Sequence, residues 1–263
     1  MELNLALFAF ASATPPTKPL EDRIKQFLDS HATSESLDGV AFAQLNGSHA
    51  KADYLLGERR FVAELKTING NPKDRVQQRL KDRFAQPGSP IAYGQVGLSQ
   101  ILKGLPDQDE MLKTINDLSA RSVRRHLQKS NEQIGVTKAR LSLSNAAGLA
   151  IIMNDSEPII DASNIGYTIK AAIEAVDSGY PHIAYIWVSI ECHRIRMLDG
   201  INGFPQLLVW KSNEHPAELQ FLFEMLSAWA YFNGSRLYRL HHKSDWDTMR
   251  PIFDGGPPIL QIY

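Results

Sequence analysis

A segment near residue 60 constrains the fold most strongly, because it has the pattern of a β-hairpin. Two runs rich in strand-forming residues, 53–56 and 61–67, are separated by the polar, glycine-containing segment 57–60, which is typical of a hairpin. Whether the whole of that segment forms the loop or only its central pair forms the turn, the register is the same. It places Asp53 directly opposite Glu64 on the neighbouring strand.

One face of this hairpin carries the charges. Directly opposed residues have Cβ atoms roughly 5 Å apart and point to the same face, so Asp53 and Glu64 lie together. Lys66 joins them because side chains alternate along a strand. Like charges opposed across strands repel, and a divalent cation with oxygen ligands would compensate them. The sequence therefore indicates a metal site, with a solvated face carrying an incidental ion pair as the alternative. The other face is available for burial and contains Tyr54, Leu56, Phe61, Ala63, Leu65 and Thr67.

The pattern of an Asp on one strand and Glu-x-Lys on the next resembles the PD-(D/E)xK, or restriction-endonuclease-like, nuclease superfamily. The resemblance implies that Asp53 and Glu64 hold Mg²⁺ or Mn²⁺, with the backbone carbonyl of Leu65 as a further metal ligand. It also implies that Lys66 acts on the attacking water or on the charge that develops at the phosphate. The proline that often precedes the family's Asp is replaced here by Ala52. The implied activity is metal-dependent hydrolysis of phosphodiester bonds in DNA, with RNA as an alternative substrate.

Members of this superfamily usually supply another acidic residue from a helix before the hairpin. Residues 18–30 have helical periodicity, and Glu21 shares a stripe with its apolar positions. Glu21 is therefore the first choice for a further catalytic carboxylate. Glu35, which is closer to the hairpin but in a polar loop, is the alternative. The apolar positions predicted to face inward are Leu20, Ile24, Phe27 and Leu28.

A basic segment provides the candidate contacts to substrate. Residues 121–140 carry six cations and the single acid Glu132, an excess that could face a phosphate backbone. Some relatives place a Gln or a second Lys on a helix beside the metal, so Gln133 and Lys138 are candidates for binding phosphate, with residues 77–78 as a rival pair. A solvated helix face is the alternative. The six cations are Arg121, Arg124, Arg125, Lys129, Lys138 and Arg140.

The remaining periodicities predict an α/β fold with a central mixed β-sheet flanked by helices on both faces. The resemblance refines this to a restriction-endonuclease-like core with a helical insertion. We expect a single domain, residues 1–263, with a nuclease-like core at about 18–190 and a C-terminal extension at 191–263. Helices are predicted at 73–85, at 107–141 as one helix or two, at 165–176 and at 216–232, and strands at 148–153, 182–190 and 204–210.

Composition predicts a soluble, cytoplasmic protein. The hydrophobic content of 43% is ordinary for a globular protein, and a single cysteine, Cys192, excludes an internal disulfide. The apolar residues 3–13 lack a preceding Lys or Arg and are followed by prolines, so we expect a packed element rather than a secretory signal. No apolar run reaches the roughly 20 residues of a membrane span, so we expect no membrane partner.

Two other clusters are weaker predictions. His241 and His242 with Asp245 and Asp247 have metal-binding residue types, but no second cluster completes a tetrahedral set. Cys192 followed by a histidine matches no cysteine-protease pattern.

The net charge of −1 gives no general nucleic-acid signal. The second hypothesis for function is therefore a catalytically inactive nuclease-fold protein acting as a nucleic-acid or protein binding module, and a homodimer is as compatible with the sequence as a monomer.

Overall fold

A computed structural model describes residues 3–11, 16–39, 42, 51–68, 72–87, 94–97, 102, 105–157, 162–176, 179–196, 202–211, 215–240, 251–252 and 259–262. The helices in these ranges are α1 (Leu20–Ser30), α2 (Pro72–Phe84), α3 (Gln108–Leu141), α4 (Ala162–Glu174) and α5 (Pro216–Phe232). The strands are β1 (Leu3–Ala11), β2 (Ser34–Ser36), β3 (Tyr54–Leu56), β4 (Phe61–Thr67), β5 (Gly94–Gly97), β6 (Ala147–Asn154), β7 (Tyr185–Ile190), β8 (Arg194–Arg196), β9 (Asn202–Lys211), β10 (Leu237–Leu240), β11 (Pro251–Ile252) and β12 (Ile259–Ile262).

The strands form a mixed, mostly antiparallel sheet in the order β10-β1-β9-β7-β6-β4-β3-β2, with β8 on β9 and β11 on β8. Strands β4, β6 and β7 run parallel, and the other pairs in this sheet are antiparallel. Strands β5 and β12 pair separately. The predicted α/β fold with a central mixed sheet is confirmed. Strands from the predicted core and from the predicted C-terminal extension lie in the same sheet.

Helices cover both faces of the sheet, as the sequence predicts. Helices α3 and α4 pack on one face with residues such as Val62, Ala150 and Ile152. Helices α1 and α5 pack on the other face, against Phe61 and Ile151. Strands β6 and β7 are buried along their whole length, which explains their nearly continuous apolar sequence. The Glu64 face of the hairpin is therefore covered by α3 rather than open to solvent.

Helix α3 is one continuous helix of 34 residues, which settles the choice between one helix and two over 107–141. Its first half packs against α2 through Met111 and Ile115. Its second half packs on the sheet through Val123, Leu127 and Ile134. The helix ends where Ser142 adopts a left-handed conformation and its backbone N–H bonds to carbonyls of the last turn, a common way to end a helix.

The amino-terminal segment has a larger role than the sequence predicts. Strand β1 lies between β9 and β10, with Leu7 opposite both Leu207 and Leu240, and residues 6–10 are buried. Within the described ranges, no helix is long and apolar enough to cross a membrane. The histidine and aspartate cluster at 241–247 lies outside the described residues.

Candidate active site

The hairpin has the register that the sequence predicts. Leu56 is opposite Phe61 and Tyr54 is opposite Ala63, and the backbone N–H of Asp53 donates to the Ala63 carbonyl at 3.1 Å. The regular pairing ends at Tyr54, and a side-chain contact with the Leu65 N–H holds Asp53 beside the segment that carries Glu64. The central turn residues, at 58 and 59, have φ of 57° and 66°, which is the conformation that two-residue hairpin turns require.

The carboxylate of Asp53 is fixed by the strand next to it. Its Oδ2 accepts a hydrogen bond from the backbone N–H of Leu65 at 2.8 Å. Because the N–H and C=O of one strand residue point to the same side, the carbonyl of Leu65 also faces the Asp53 strand. Burial raises the pKa of Asp53, while the Leu65 N–H and the charge of Lys66 act in the opposite direction. The predicted carbonyl ligand thus points to the correct side of β4.

Glu64 is the most perturbed group of the hairpin. Its side chain is only 1% exposed, and its Oε1 forms an ion pair with Nζ of Lys66. Its Oε2 receives no hydrogen bond from the described residues. Burial, followed by the charge of Asp53, raises the pKa of Glu64 to about 8, although Lys66 opposes the shift. The neighbouring carboxylate of Asp53 therefore favours the protonated form of Glu64. At neutral pH Glu64 is protonated.

Glu21 lies near the end of β4, on the opposite face of the sheet from Glu64. Its Oε2 accepts a hydrogen bond from Oγ1 of Thr67 at 2.6 Å, and its Oε1 pairs with Lys25 at 2.6 Å. These two partners, with a smaller effect of Lys66, hold the pKa of Glu21 below its usual value. Glu21 is therefore ionised at the edge of the hairpin. The inward positions predicted for its helix, residues 20, 24, 27 and 28, are all buried.

Glu35, the alternative acidic residue, lies at the other end of the hairpin. Both of its carboxylate oxygens accept hydrogen bonds from the guanidinium of Arg59, at 2.9 and 2.8 Å. That pairing directs Glu35 to the turn rather than to Glu64. Of the two candidates, Glu21 is thus the one that the fold brings toward the end of β4.

The candidates for phosphate binding on α3 divide into two groups. Gln133 donates from Nε2 to the carbonyl of Lys51 at 2.9 Å, and Oγ1 of Thr137 accepts from the N–H of Ala52 at 2.8 Å. These contacts hold the backbone that leads into Asp53, so the Gln133 amide supports the site instead of projecting from it. Lys138 is half-buried, which lowers its pKa, and its charged neighbour is Glu218 rather than the hairpin.

The basic side chains nearer the amino end of α3 remain available for substrate. Arg121, Arg125 and Lys129 are exposed, whereas Arg124 is partly buried. Arg125 and Lys129 act electrostatically on His126, as does Lys66. These two exposed cations therefore lie around His126, on which Lys66 of the hairpin also acts. Of the rival pair at 77–78, Gln78 is exposed on α2 and donates to Asp82 at 2.8 Å.

His126 and Ser130 are the residues near the site that the sequence interpretation omits. Both are buried on the α3 stripe that packs on the sheet. Their only sequence signal is that polar residues interrupt an apolar helical stripe. His126 is next to Leu127, and Ser130 lies one helical turn before Ile134.

No protein-family model, curated protein or solved structure matches this chain. The geometry of the hairpin must therefore carry any functional assignment. Across the described ranges, no group of three or more His, Cys, Asp and Glu side chains is arranged to hold a metal ion. A cation at the hairpin would be held by the carboxylates of Asp53 and Glu64 and the carbonyl of Leu65, with water or substrate in the other positions.

Proposed function

We propose that this protein is a metal-dependent nuclease of the PD-(D/E)xK type, with a restriction-endonuclease-like core, that hydrolyses phosphodiester bonds in DNA. The observation that carries the proposal is the buried Glu64 with the half-buried Asp53 and Lys66 beside it. A buried acid next to a second carboxyl group is costly to keep, and strongly perturbed pKa values cluster at functional sites. The position of the pair supports it further, because ligands of α/β sheets bind beyond the carboxyl ends of parallel strands, and Lys66 is near that end of β4.

The oxygen donors fit a hard divalent cation such as Mg²⁺ or Mn²⁺. Asp53 is held by one oxygen and offers the other, and Oε2 of Glu64 receives no donor from the described residues. When bound, such a cation lowers the pKa of a coordinated water and neutralises charge on the phosphate. Glu64 must lose its proton to act as a ligand, so the site is prepared to exchange a proton for a cation.

Lys66 would supply a positive charge close to the reacting phosphate. Its ammonium group contacts Glu64 and is mostly buried. If Glu64 held a cation, Lys66 would be free to donate hydrogen bonds to the attacking water or to a phosphate oxygen, which would stabilise charge that develops in the transition state. Glu21, ionised next to Thr67 on the opposite face of the sheet, would act on the site at a distance, as a further negative charge at the end of β4.

One observation favours the second candidate function, a catalytically inactive nuclease-fold binding module. Glu64 already has a counter-ion in Lys66, and Glu21 already has one in Lys25. A hairpin in which these two acids already have basic partners can be stable without a metal. Calorimetric titration with Mg²⁺ or Mn²⁺ separates the two candidates, because only the nuclease requires the cation.

The direct experiment is cleavage of plasmid and linear DNA with Mg²⁺ or Mn²⁺. Glu64→Gln and Lys66→Met should each lower the rate by at least about 100-fold, as is typical when one electrostatic contributor is removed. The matched controls are Glu174→Gln and Lys170→Met, which alter an exposed ion pair of the same residue types on α4, and both should cleave normally. Cleavage that survives either hairpin substitution would show that this hairpin is not the active site.

A further inference from the structure

The buried stripe of α3 contains polar groups that the proposed catalytic residues do not use. His126 is 8% exposed and Ser130 is fully buried. No described residue forms a hydrogen bond with either ring nitrogen of His126 or with the hydroxyl of Ser130. The two side chains are neighbours because they are four residues apart on a helix. Buried polar groups without partners are uncommon, and each calls for an explanation such as a water, an ion or a ligand.

The anchoring of α3 places this stripe at the hairpin site. Gln133 and Thr137 bind the backbone at residues 51 and 52, immediately before Asp53. His126 lies two helical turns before Gln133, about 10 Å along the helix axis. At that point the charges of Arg125, Lys66 and Lys129 act on the imidazole. His126 is therefore an uncharged polar group among three cations, one of which is Lys66 of the hairpin.

The protonation state of His126 suits a hydrogen-bond donor. Burial, followed by the positive charge of Arg125 and then of Lys66, lowers the pKa of His126 to about 4. The ring is neutral at neutral pH and offers one N–H donor and one acceptor. The cations around it favour an anionic partner, and a fixed neutral donor in a water-poor site stabilises a phosphate oxygen strongly.

We propose that His126 is a substrate-contacting residue that donates a hydrogen bond from its imidazole N–H to a non-bridging oxygen of the phosphodiester. This assignment rests on the proposed nuclease function. It deepens that function, since Lys66 and His126 would approach the same phosphate from β4 and from α3. Arg125 and Lys129 would bind adjacent phosphates of the strand.

The test uses His126→Leu, which removes the donor but keeps an apolar side chain in the buried stripe. The matched control is His182→Leu, because His182 is exposed and packs near Gly135 of the same helix. A third variant, His126→Asn, keeps a short N–H donor. For each protein, we would measure thermal stability, Mg²⁺ affinity, cleavage kinetics and the binding of a fluorescent oligonucleotide in chelator.

His126→Leu should lower kcat/KM by about 100-fold or more and weaken oligonucleotide binding in the absence of metal. Its Mg²⁺ affinity should stay within about twofold of the wild-type value, since the substitution removes no carboxylate. Its melting temperature should equal or exceed that of the wild type, because an unpaired polar group has been removed. His126→Asn should recover part of the cleavage rate, and His182→Leu should match the wild type.

Three results would overturn the assignment. If His126→Leu cleaves and binds oligonucleotide like the wild type, His126 does not contact substrate. If it loses activity only in proportion to lost folded protein, His126 is a structural core residue. If the wild type does not cleave DNA, the proposed nuclease function fails, and oligonucleotide binding alone then decides. In that case, equal affinity of wild type and His126→Leu, or binding by neither, overturns the His126 contact as well.

Discussion

Substituting Glu64 by Gln should stabilise the metal-free protein at alkaline pH. The fold raises the pKa of Glu64 from 4.5 to about 8, so the folded state holds this proton more tightly than the unfolded chain does. The resulting stability is complete below pH 4.5 and is lost as the pH rises through about 8. Each pKa unit corresponds to about 1.4 kcal/mol, and the loss by pH 8 is on the order of 4 kcal/mol.

That loss is a large share of the 5–15 kcal/mol by which typical domains are stable. Gln has the shape of the protonated acid and does not titrate. The free energy of unfolding of Glu64→Gln should therefore equal that of the wild type, to within about 1 kcal/mol, at pH 5. At pH 8 it should exceed the wild-type value by several kcal/mol. Glu191, whose pKa burial raises to about 7, contributes a similar slope to both proteins and cancels in the difference.

Urea unfolding from pH 5 to pH 8.5 in chelator measures this difference. Glu174→Gln, in the exposed ion pair with Lys170, is the control and should differ from the wild type by less than about 0.5 kcal/mol at every pH. Added Mg²⁺ should stabilise the wild type at pH 8 more than it stabilises Glu64→Gln. Parallel pH profiles of wild type and Glu64→Gln would refute a buried, protonated Glu64.

Three further perturbations test the surroundings of the site. Arg23→Met should cost about 3 kcal/mol of unfolding free energy at pH 8 and less at pH 5, because it leaves Glu191 buried without its counter-ion. Urea unfolding measures this cost, and an equal cost at both pH values would contradict the prediction. Thr137→Val should cost roughly 1–3 kcal/mol of unfolding free energy and weaken Mg²⁺ binding in calorimetry, because it removes the partner of the Ala52 N–H. The control is Thr114→Val, whose hydroxyl bonds within its own helix and which should leave Mg²⁺ affinity unchanged. Replacing Arg124, Arg125 and Lys129 together with Gln should weaken DNA binding for all sequences alike. The slope of log affinity against log salt should flatten by about 0.9 for each phosphate that is no longer neutralised. An unchanged slope would assign these residues to a solvated helix face.

The local structure of the hairpin could be predicted because it depends on neighbouring residues. Two-residue periodicity on either side of a short turn fixes both the register and the faces, and the structure confirms Leu56 opposite Phe61. The helix at Pro216–Phe232 has the bounds that the sequence predicts, since a proline starts it and a polar, glycine-containing segment follows it. These features contain their own start and stop signals.

The tertiary environment of the same hairpin could not be predicted in this way. Nothing in residues 53–67 shows that α3 covers their charged face. Whether Glu64 is a surface acid or a buried, protonated one therefore depends on a helix that begins more than 40 residues later in the chain. For the same reason, the sequence offers Gln133 as a candidate for binding phosphate or as part of a solvated face, whereas in the fold its amide donates to the carbonyl of Lys51. The role of β1 between β9 and β10 depends likewise on pairing between distant segments.

The measurement that tests the hairpin most directly is proton release on binding of Mg²⁺ or Mn²⁺. A cation and a proton compete for Glu64, so binding at pH 7 should release a large fraction of one proton, because a pKa of about 8 leaves Glu64 mostly protonated. Calorimetry in two buffers of different ionisation enthalpy gives this number. We predict that Glu64→Gln loses both the release and most of the affinity. Cation binding without proton release, or release that persists in Glu64→Gln, would contradict a metal site at Asp53 and Glu64.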